Sequence, residues 1–147
     1  MAAVTVKFKM DPACADLKPA KAHPDDAAYD LRASEDVTLT PGKPVLVPTG
    51  LYLELPVGYE AQVRPRSGLA VKAGLTVLNS PGTIDAGYRG EIKCIMYNTA
   101  GTAYEVKRGD RIAQMVITRL PEIILEETDE LSDSLRSAGG FGSTGKN

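Results

Sequence analysis

The chain has no tryptophan, two phenylalanines, two cysteines and one histidine among its 147 residues. Each scarcity removes a class of chemistry. The one histidine, His23, stands before Pro24 in a loop-like stretch. A His-based catalytic triad or a His-rich metal site therefore lacks its material. Cys14 and Cys94 form no CxxC pair, so neither a disulfide framework nor a zinc site is marked. Cys94 falls in the strand-like run 91–97, where a small buried thiol is the simple reading. No segment offers the roughly 18 consecutive apolar residues of a membrane span. The first residues hold no apolar run of signal-peptide length. A soluble, cytoplasmic protein without membrane contact is expected. Charge of one sign is also missing: the net charge is −2 and both signs are spread along the chain. Without a basic patch, nucleic-acid binding is not expected. A local basic pocket for a small anion stays open.

What is present in quantity is punctuation, with fourteen glycines and ten prolines. They cut the chain into pieces too short for many helices. Between the breaks lie β-like runs at residues 4–10, 37–39, 45–48, 50–55, 58–63, 75–78, 91–97, 104–106 and 112–119. Many short strands with frequent turn signals predict an all-β sandwich, jelly roll or barrel. Residues 67–73 predict one short helix. Residues 126–135 are acidic, lack periodicity and read as a linker. The length suits a single domain, organised as a body of residues 1–125 and a tethered arm of 126–147.

Five stretches carry more specific residues than a strand or turn needs. In residues 27–33 (AAYDLRA), Asp30 sits between apolar neighbours at a strand entrance, as a functional carboxylate or as a turn cap. In residues 64–70 (RPRSGLA), Pro65 stops a strand and Ser67 is expected to cap the short helix. Free amides, a hydroxyl and Arg66 suit a phosphate; a plain cap with a solvated Arg is the alternative. Residues 79–90 (NSPGTIDAGYRG) read as a long hairpin or loop holding Asp85 and Tyr88. An aromatic beside a carboxylate suits a nucleoside and an activated water, and a surface turn remains the alternative. In residues 108–114 (RGDRIAQ) an Asp110–Arg111 pair occupies a tight turn, as functional charges or as a salt-bridged hairpin turn, and Gln114 begins a strand. The last stretch, residues 136–145 (RSAGGFGSTG), is a disordered tail or a segment that closes on a ligand. Glycine there is costly to order. Its amides can nonetheless cradle phosphates, Phe141 can stack on a flat ring, and Arg136 can neutralise charge.

Together these stretches supply carboxylates, arginines, Ser, Gln, Tyr, Phe and glycine amides, with no thiol, His or Lys nucleophile motif. That equipment suits water attack on a phosphate ester, with a metal held mainly by the substrate's own phosphates. The combination PRSGLA, GTIDAGYRGE, RGDRIAQ and GGFGSTG, in this order and spacing, resembles the homotrimeric dUTP nucleotidohydrolases (dUTPases) over residues 27–145. Ala28 stands where that family usually has Gly, and Ser137 where Gly commonly follows the Arg; both are small.

The resemblance implies Mg2+-dependent hydrolysis of dUTP to dUMP and pyrophosphate. This keeps uracil out of DNA and supplies dUMP for thymidylate synthesis. By the same resemblance Asp85 activates the water that attacks the α-phosphate. Arg66, Ser67, Gly68 and Gln114 contact phosphates, joined by Arg136, Ser143 and Thr144 from the arm. Asn79 and Thr83 lie at the uracil site, and Tyr88 packs on the deoxyribose and leaves no room for a 2′-hydroxyl. Phe141 stacks over uracil. Asp30 holds the hydration shell of Mg2+. The implied fold is a distorted jelly roll or β-clip with one short helix and a mobile C-terminal arm, in a homotrimer with shared sites and exchanged arms. Two other readings stay open. A dCTP deaminase resembles dUTPases in fold and assembly, and a non-catalytic dUTP sensor is possible on the same scaffold.

Overall fold

The computed structural model describes residues 2–146; Met1 and Asn147, the outer ends of the expected body and arm, lie outside the described residues. Its strands are β1 (Lys7–Met10), β2 (Tyr29–Arg32), β3 (Val37–Leu39), β4 (Val45–Glu54), β5 (Tyr59–Arg64), β6 (Leu75–Val77), β7 (Gly82–Ile84), β8 (Glu91–Asn98), β9 (Tyr104–Val106) and β10 (Arg111–Arg119). Among the described residues the single α-helix, α1 (Ser67–Ala73), lies between β5 and β6. β8 shows why the chain forms sheets: Ile92, Cys94, Met96 and Asn98 are buried and their neighbours are not. A strand turns successive side chains to opposite faces, so this period of two packs one face on a core.

All strand pairs are antiparallel. One four-stranded sheet has the order β1-β4-β8-β6, a second the order β2-β10-β5-β7, and β3 pairs β9 in a small ribbon. One apolar cluster joins them, with Leu31, Leu51, Ile92, Met96, Ile112 and Met115 almost wholly enclosed. This is the expected distorted jelly roll.

The differences from the expected strands have local causes. The runs 45–48 and 50–55 are one strand, because a register shift between Pro48 and Leu51 carries β4 across the break. Gly50 makes that possible. Its φ is 70°, and a Cβ there would lie 2.6 Å from Cys14 Sγ, in a 3₁₀ turn (Pro12–Leu17) that the sequence did not announce. Thr49 is buried and donates its hydroxyl to the Ile92 carbonyl, while accepting from Leu51 N, so the bulge leaves no polar group stranded. The expected strand 4–10 shortens to Lys7–Met10. Residues 82–84, read as loop, form β7 against β5.

One helix detail is corrected. Ser67 is the first residue of α1 and not its cap; the N-cap is Arg66, in an extended conformation, and no side chain caps the helix. The extended backbone leaving β5 runs through Arg66, so Ser67 already lies in the first turn. At the far end of β8, Asn98 is fully buried and fully used. It donates to the Leu39 and Thr102 carbonyls, each at 2.9 Å, and accepts from Ala100 N at 2.9 Å. It ties the β3–β9 ribbon to the main sheet. The last strand ends at Arg119, and Leu120 N donates to the Gly58 carbonyl at 2.8 Å. Among the described residues no strand or helix follows.

Candidate active site

Cross-strand register builds a first cleft. On β10, Gln114 stands opposite Asp30 of β2 on one side and Arg64 of β5 on the other. Gln114 Nε2 donates to the Pro65 carbonyl at 2.9 Å, which fixes the entry to α1. Arg66 then points back across the sheet, its Nη1 donating to the Arg111 carbonyl at 3.0 Å. The Asp30 side chain is mostly enclosed, with Oδ1 3.7 Å from Arg66 Nε and Oδ2 3.5 Å from Arg111 Nη1. Asp30, Arg66, Ser67, Gly68 and Gln114 all line this cleft of about 350 Å³. Guanidinium and hydroxyl groups suit a polyphosphate, and two carboxylate residues, Asp26 and Asp30, line the same cleft. Arg111 is the residue that sequence reasoning left in a turn. Its expected partner Asp110 instead accepts from Lys107 N at 2.8 Å, closing the turn, and Arg111 pairs with Asp30.

The hairpin that follows β6 builds a second cleft, of about 380 Å³, lined by Asn79, Thr83, Asp85 and Tyr88. β7 holds it to the body by pairing Gly82 with Val63, Thr83 with Gln62 and Ile84 with Ala61. Tyr88 N donates to the Asp85 carbonyl at 3.1 Å, so the two side chains leave one tight turn. The Tyr88 ring lies against Gly90, where a Cβ would collide with it, and Oη donates to the Glu91 carbonyl at 2.9 Å. The glycine is thus the clearance that lets the ring lie flat beside the cleft. Asp85 is exposed. Among the described residues no hydrogen bond or ion pair engages its carboxylate, which is free to accept from water.

The remaining expected residues are in neither cleft. Arg136, Phe141, Ser143 and Thr144 lie on the arm. Its hydrogen bonds are local turns: Arg136 Nε to the Gly139 carbonyl at 2.6 Å, Ser143 N to Gly140 O at 3.0 Å and Gly145 N to Gly142 O at 2.9 Å. Ser137 and Phe141 have φ of 49° and 52°, the left-handed region that a side chain seldom adopts. No residue lines both clefts, and no arm residue lines either. In a single chain the expected residues thus fall into three sets, with a further groove lined by Arg66, Ser67, Gln114, Ser80 and Pro81 running from the first cleft to the start of the hairpin.

Neither cysteine offers an alternative nucleophile. Both are buried, and burial pushes the Cys94 thiol up to about 12, far from the range of a thiolate nucleophile at neutral pH. Among the described residues no group of three or more His, Cys, Asp or Glu could enclose a metal ion. The few carboxylates of the first cleft, Asp30 and Asp26, fit a hard cation that keeps its waters and takes its other ligands from a substrate.

The dUTPase family profile matches residues 17–145. The chain belongs to the dUTPase family. It is 58% identical over 128 residues to the deoxyuridine 5′-triphosphate nucleotidohydrolase of Thermobifida fusca, covering 86% of this chain and 72% of that protein. It is 52% identical over 146 residues to the enzyme of the same name from Clostridium tetani, covering 99% of this chain and 100% of the relative. In three dimensions it is similar to a mutant dUTPase of Staphylococcus bacteriophage 80alpha solved with dUpNHpp. The TM-score is 0.87 at 27% identity, over 97% of this chain and 99% of that one. The activity of the chain is that of a dUTP nucleotidohydrolase, a dUTP diphosphatase. Both relatives are named as hydrolases of dUTP rather than deaminases of dCTP.

Proposed function

We propose that the two clefts and the arm act as one site only when three copies of the chain assemble, each copy giving one group. The observation that carries this is the separation itself: Asp30 and Arg66, Asp85 and Tyr88, and Arg136 and Phe141 fall into three groups that share no lining residue. The segment that leads into the arm adds support for an assembly with exchanged arms. Ile123, Ile124 and Leu125 are exposed, and a groove of about 490 Å³ offers them apolar surface at Val4, Phe8, Met115 and Ile117, beside Thr5 and Lys21. The groove draws its lining from β1, β2, β4, β5 and β10.

In this site the triphosphate of dUTP lies against Arg66, Ser67, Gly68 and Gln114. Arg136, Ser143 and Thr144 close on it from the arm, residues 126–147 serving as linker and lid. Uracil enters the hairpin at Asn79 and Thr83. Its donors and acceptors pair with the hairpin backbone, so cytosine leaves polar groups unpaired, and the thymine methyl is excluded by lack of space. Tyr88 packs on the deoxyribose, and Phe141 covers the base. Asp85 accepts a proton from the water that attacks the α-phosphate, and dUMP and pyrophosphate leave. Bound Mg2+ supplies neutralisation of phosphate charge, and Asp30 holds its hydration shell. The cell's gain is removal of dUTP before it enters DNA and a supply of dUMP for thymidylate synthesis. Among the described residues no helix is long and apolar enough to cross a membrane; we place the enzyme in the cytoplasm.

Subunit mixing tests the reading. Asp85→Asn and a chain ending at Leu135 are each expected to be inactive and to have the mass of three chains by light scattering. Co-refolded together, they regain pyrophosphate release from dUTP, because some sites receive an intact hairpin from one copy and an intact arm from another. A mixture that stays inactive would place the whole site within one chain.

A further inference from the structure

β10 opens with an irregularity on which the first cleft depends. Arg111 stands opposite Arg32 and Ala113 opposite Leu31, so β10 spends one residue more than β2. Residues directly opposite share a face of the sheet. Ala113 and Leu31 are both buried, whereas Gln114 and Asp30, the next pair, line the cleft. Strict alternation would put Arg111 on the inner face with Ala113 and Met115. The extra residue sends Ile112 and Ala113 inward together and returns Arg111 to the face of Gln114.

That turn of the strand gives the Asp30 carboxylate a different guanidinium at each oxygen: Arg66 at 3.7 Å from Oδ1 and Arg111 at 3.5 Å from Oδ2. The two arginines are also joined, Arg66 Nη1 to the Arg111 carbonyl. On the phosphate-site reading given above, Arg66 is the one that contacts the triphosphate. When Arg66 turns its donors to phosphate, Arg111 is the cation that remains on Asp30.

We propose that Arg111 is a further positioning residue for the dUTP site, holding the Asp30 carboxylate in place while Arg66 engages the phosphates. The proposal rests on the phosphate-site reading given above. It is tested by titrating the intact protein with dUpNHpp in the presence of Mg2+, for wild type, Arg111→Gln, Asp30→Asn and the double variant. Melting temperature is followed in parallel. Arg111→Gln is expected to weaken binding about ten-fold, and Arg111→Lys to restore part of the loss. On the Asp30→Asn background Arg111→Gln is expected to add nothing. Unchanged binding in Arg111→Gln overturns the proposal. So does an equal loss on both backgrounds, which would mean that Arg111 acts on the ligand without Asp30. Should Arg111→Gln fail to fold, Arg111→Lys on the two backgrounds carries the same comparison. A wild type that does not bind dUpNHpp would overturn the phosphate-site reading itself, a result distinct from either of these.

Discussion

In the cleft around Asp30, the side chains of Asp30, Arg66 and Arg111 are tied to one another across β2, the β5–α1 junction and β10; in the arm, Arg136 is tied to Gly139, three residues away. The cleft spans β2, β10 and the β5–α1 junction, and its geometry is set before any ligand arrives. The arm carries Leu135 and Phe141 fully exposed, at 110% and 113% of the reference surface, and its turns reach no further than neighbouring residues. The two regions therefore meet a ligand at different cost. The cleft gives up little freedom on binding, whereas the arm must be ordered residue by residue. Under the proposed function, a rigid half would recognise the triphosphate and a loose half would close on it.

The sharpest test of this division lies on the rigid half. Asp85 sits at the edge of an anchored hairpin with its carboxylate free. Asp85→Asn should lower turnover roughly 10²–10⁴-fold while dUpNHpp still binds in a calorimetric titration. Undiminished pyrophosphate release would remove Asp85 as the base.

Next comes the loose half. A chain ending at Leu135 should melt at the wild-type temperature, because no arm residue belongs to the apolar core. Its turnover should nevertheless fall about 10²-fold, the scale of losing orientation in a bound substrate. Full activity in this truncation would take the lid out of the mechanism, and a large drop in melting temperature would show that the arm supports the body.

Stability should respond in the opposite sense. Asn98→Ala strands the Leu39 and Thr102 carbonyls and Ala100 N inside the body, at a cost of about 3 kcal/mol. Leu131→Ser, on the exposed arm, should leave the denaturation midpoint where it is. Equal midpoints for the two variants would dissolve the contrast.

The smallest effect is expected at the surface clamp that joins the 3₁₀ turn to the loop before β10. Arg108 donates to both carboxylate oxygens of Asp16, at 2.9 and 2.7 Å. These bonds hold the Asp16 carboxyl below its ordinary value of 3.8. A depressed folded-state value stabilises the fold above the ordinary value, and the gain is lost as pH falls through the depressed one. The exposed pair contributes little. Asp16→Asn should thus melt slightly below wild type at neutral pH, and the gap should close only below the usual carboxylate range. A gap that persists in strong acid would assign it to packing.

Much of the body was legible in order of residues. The turn signals at Pro41-Gly42 and Pro65 bracket strands that the structure contains, whereas the break expected at Pro48-Thr49 lies inside β4; residues 37–39 and 104–106 are strands with those bounds. Helix α1 spans the predicted residues 67–73. The candidate residues were legible as motifs, and the structure sorts the body's members into two clefts. What escaped was non-local. β7 looked like loop because its three residues contain a glycine and gain strand geometry only by pairing with β5. The 3₁₀ turn at Pro12–Leu17 has no periodicity to betray it, and its place is set by Cys14 resting on Gly50. Ser67 looked like a cap because caps are read by residue type, while the backbone of Arg66 had taken that position.

By itself the sequence determined the all-β class, the strand-forming runs, the single short helix and the motifs that mark a dUTPase. Each of these is carried by residues close together in the chain, through alternation, turn chemistry and contiguous spelling. The tertiary structure alone decided that β4 crosses its bulge unbroken, that Asn98 is spent on holding the ribbon, and that Arg111 faces Asp30 rather than Asp110. These depend on cross-strand register, and one added residue in β10 is enough to turn an arginine from the core to the cleft.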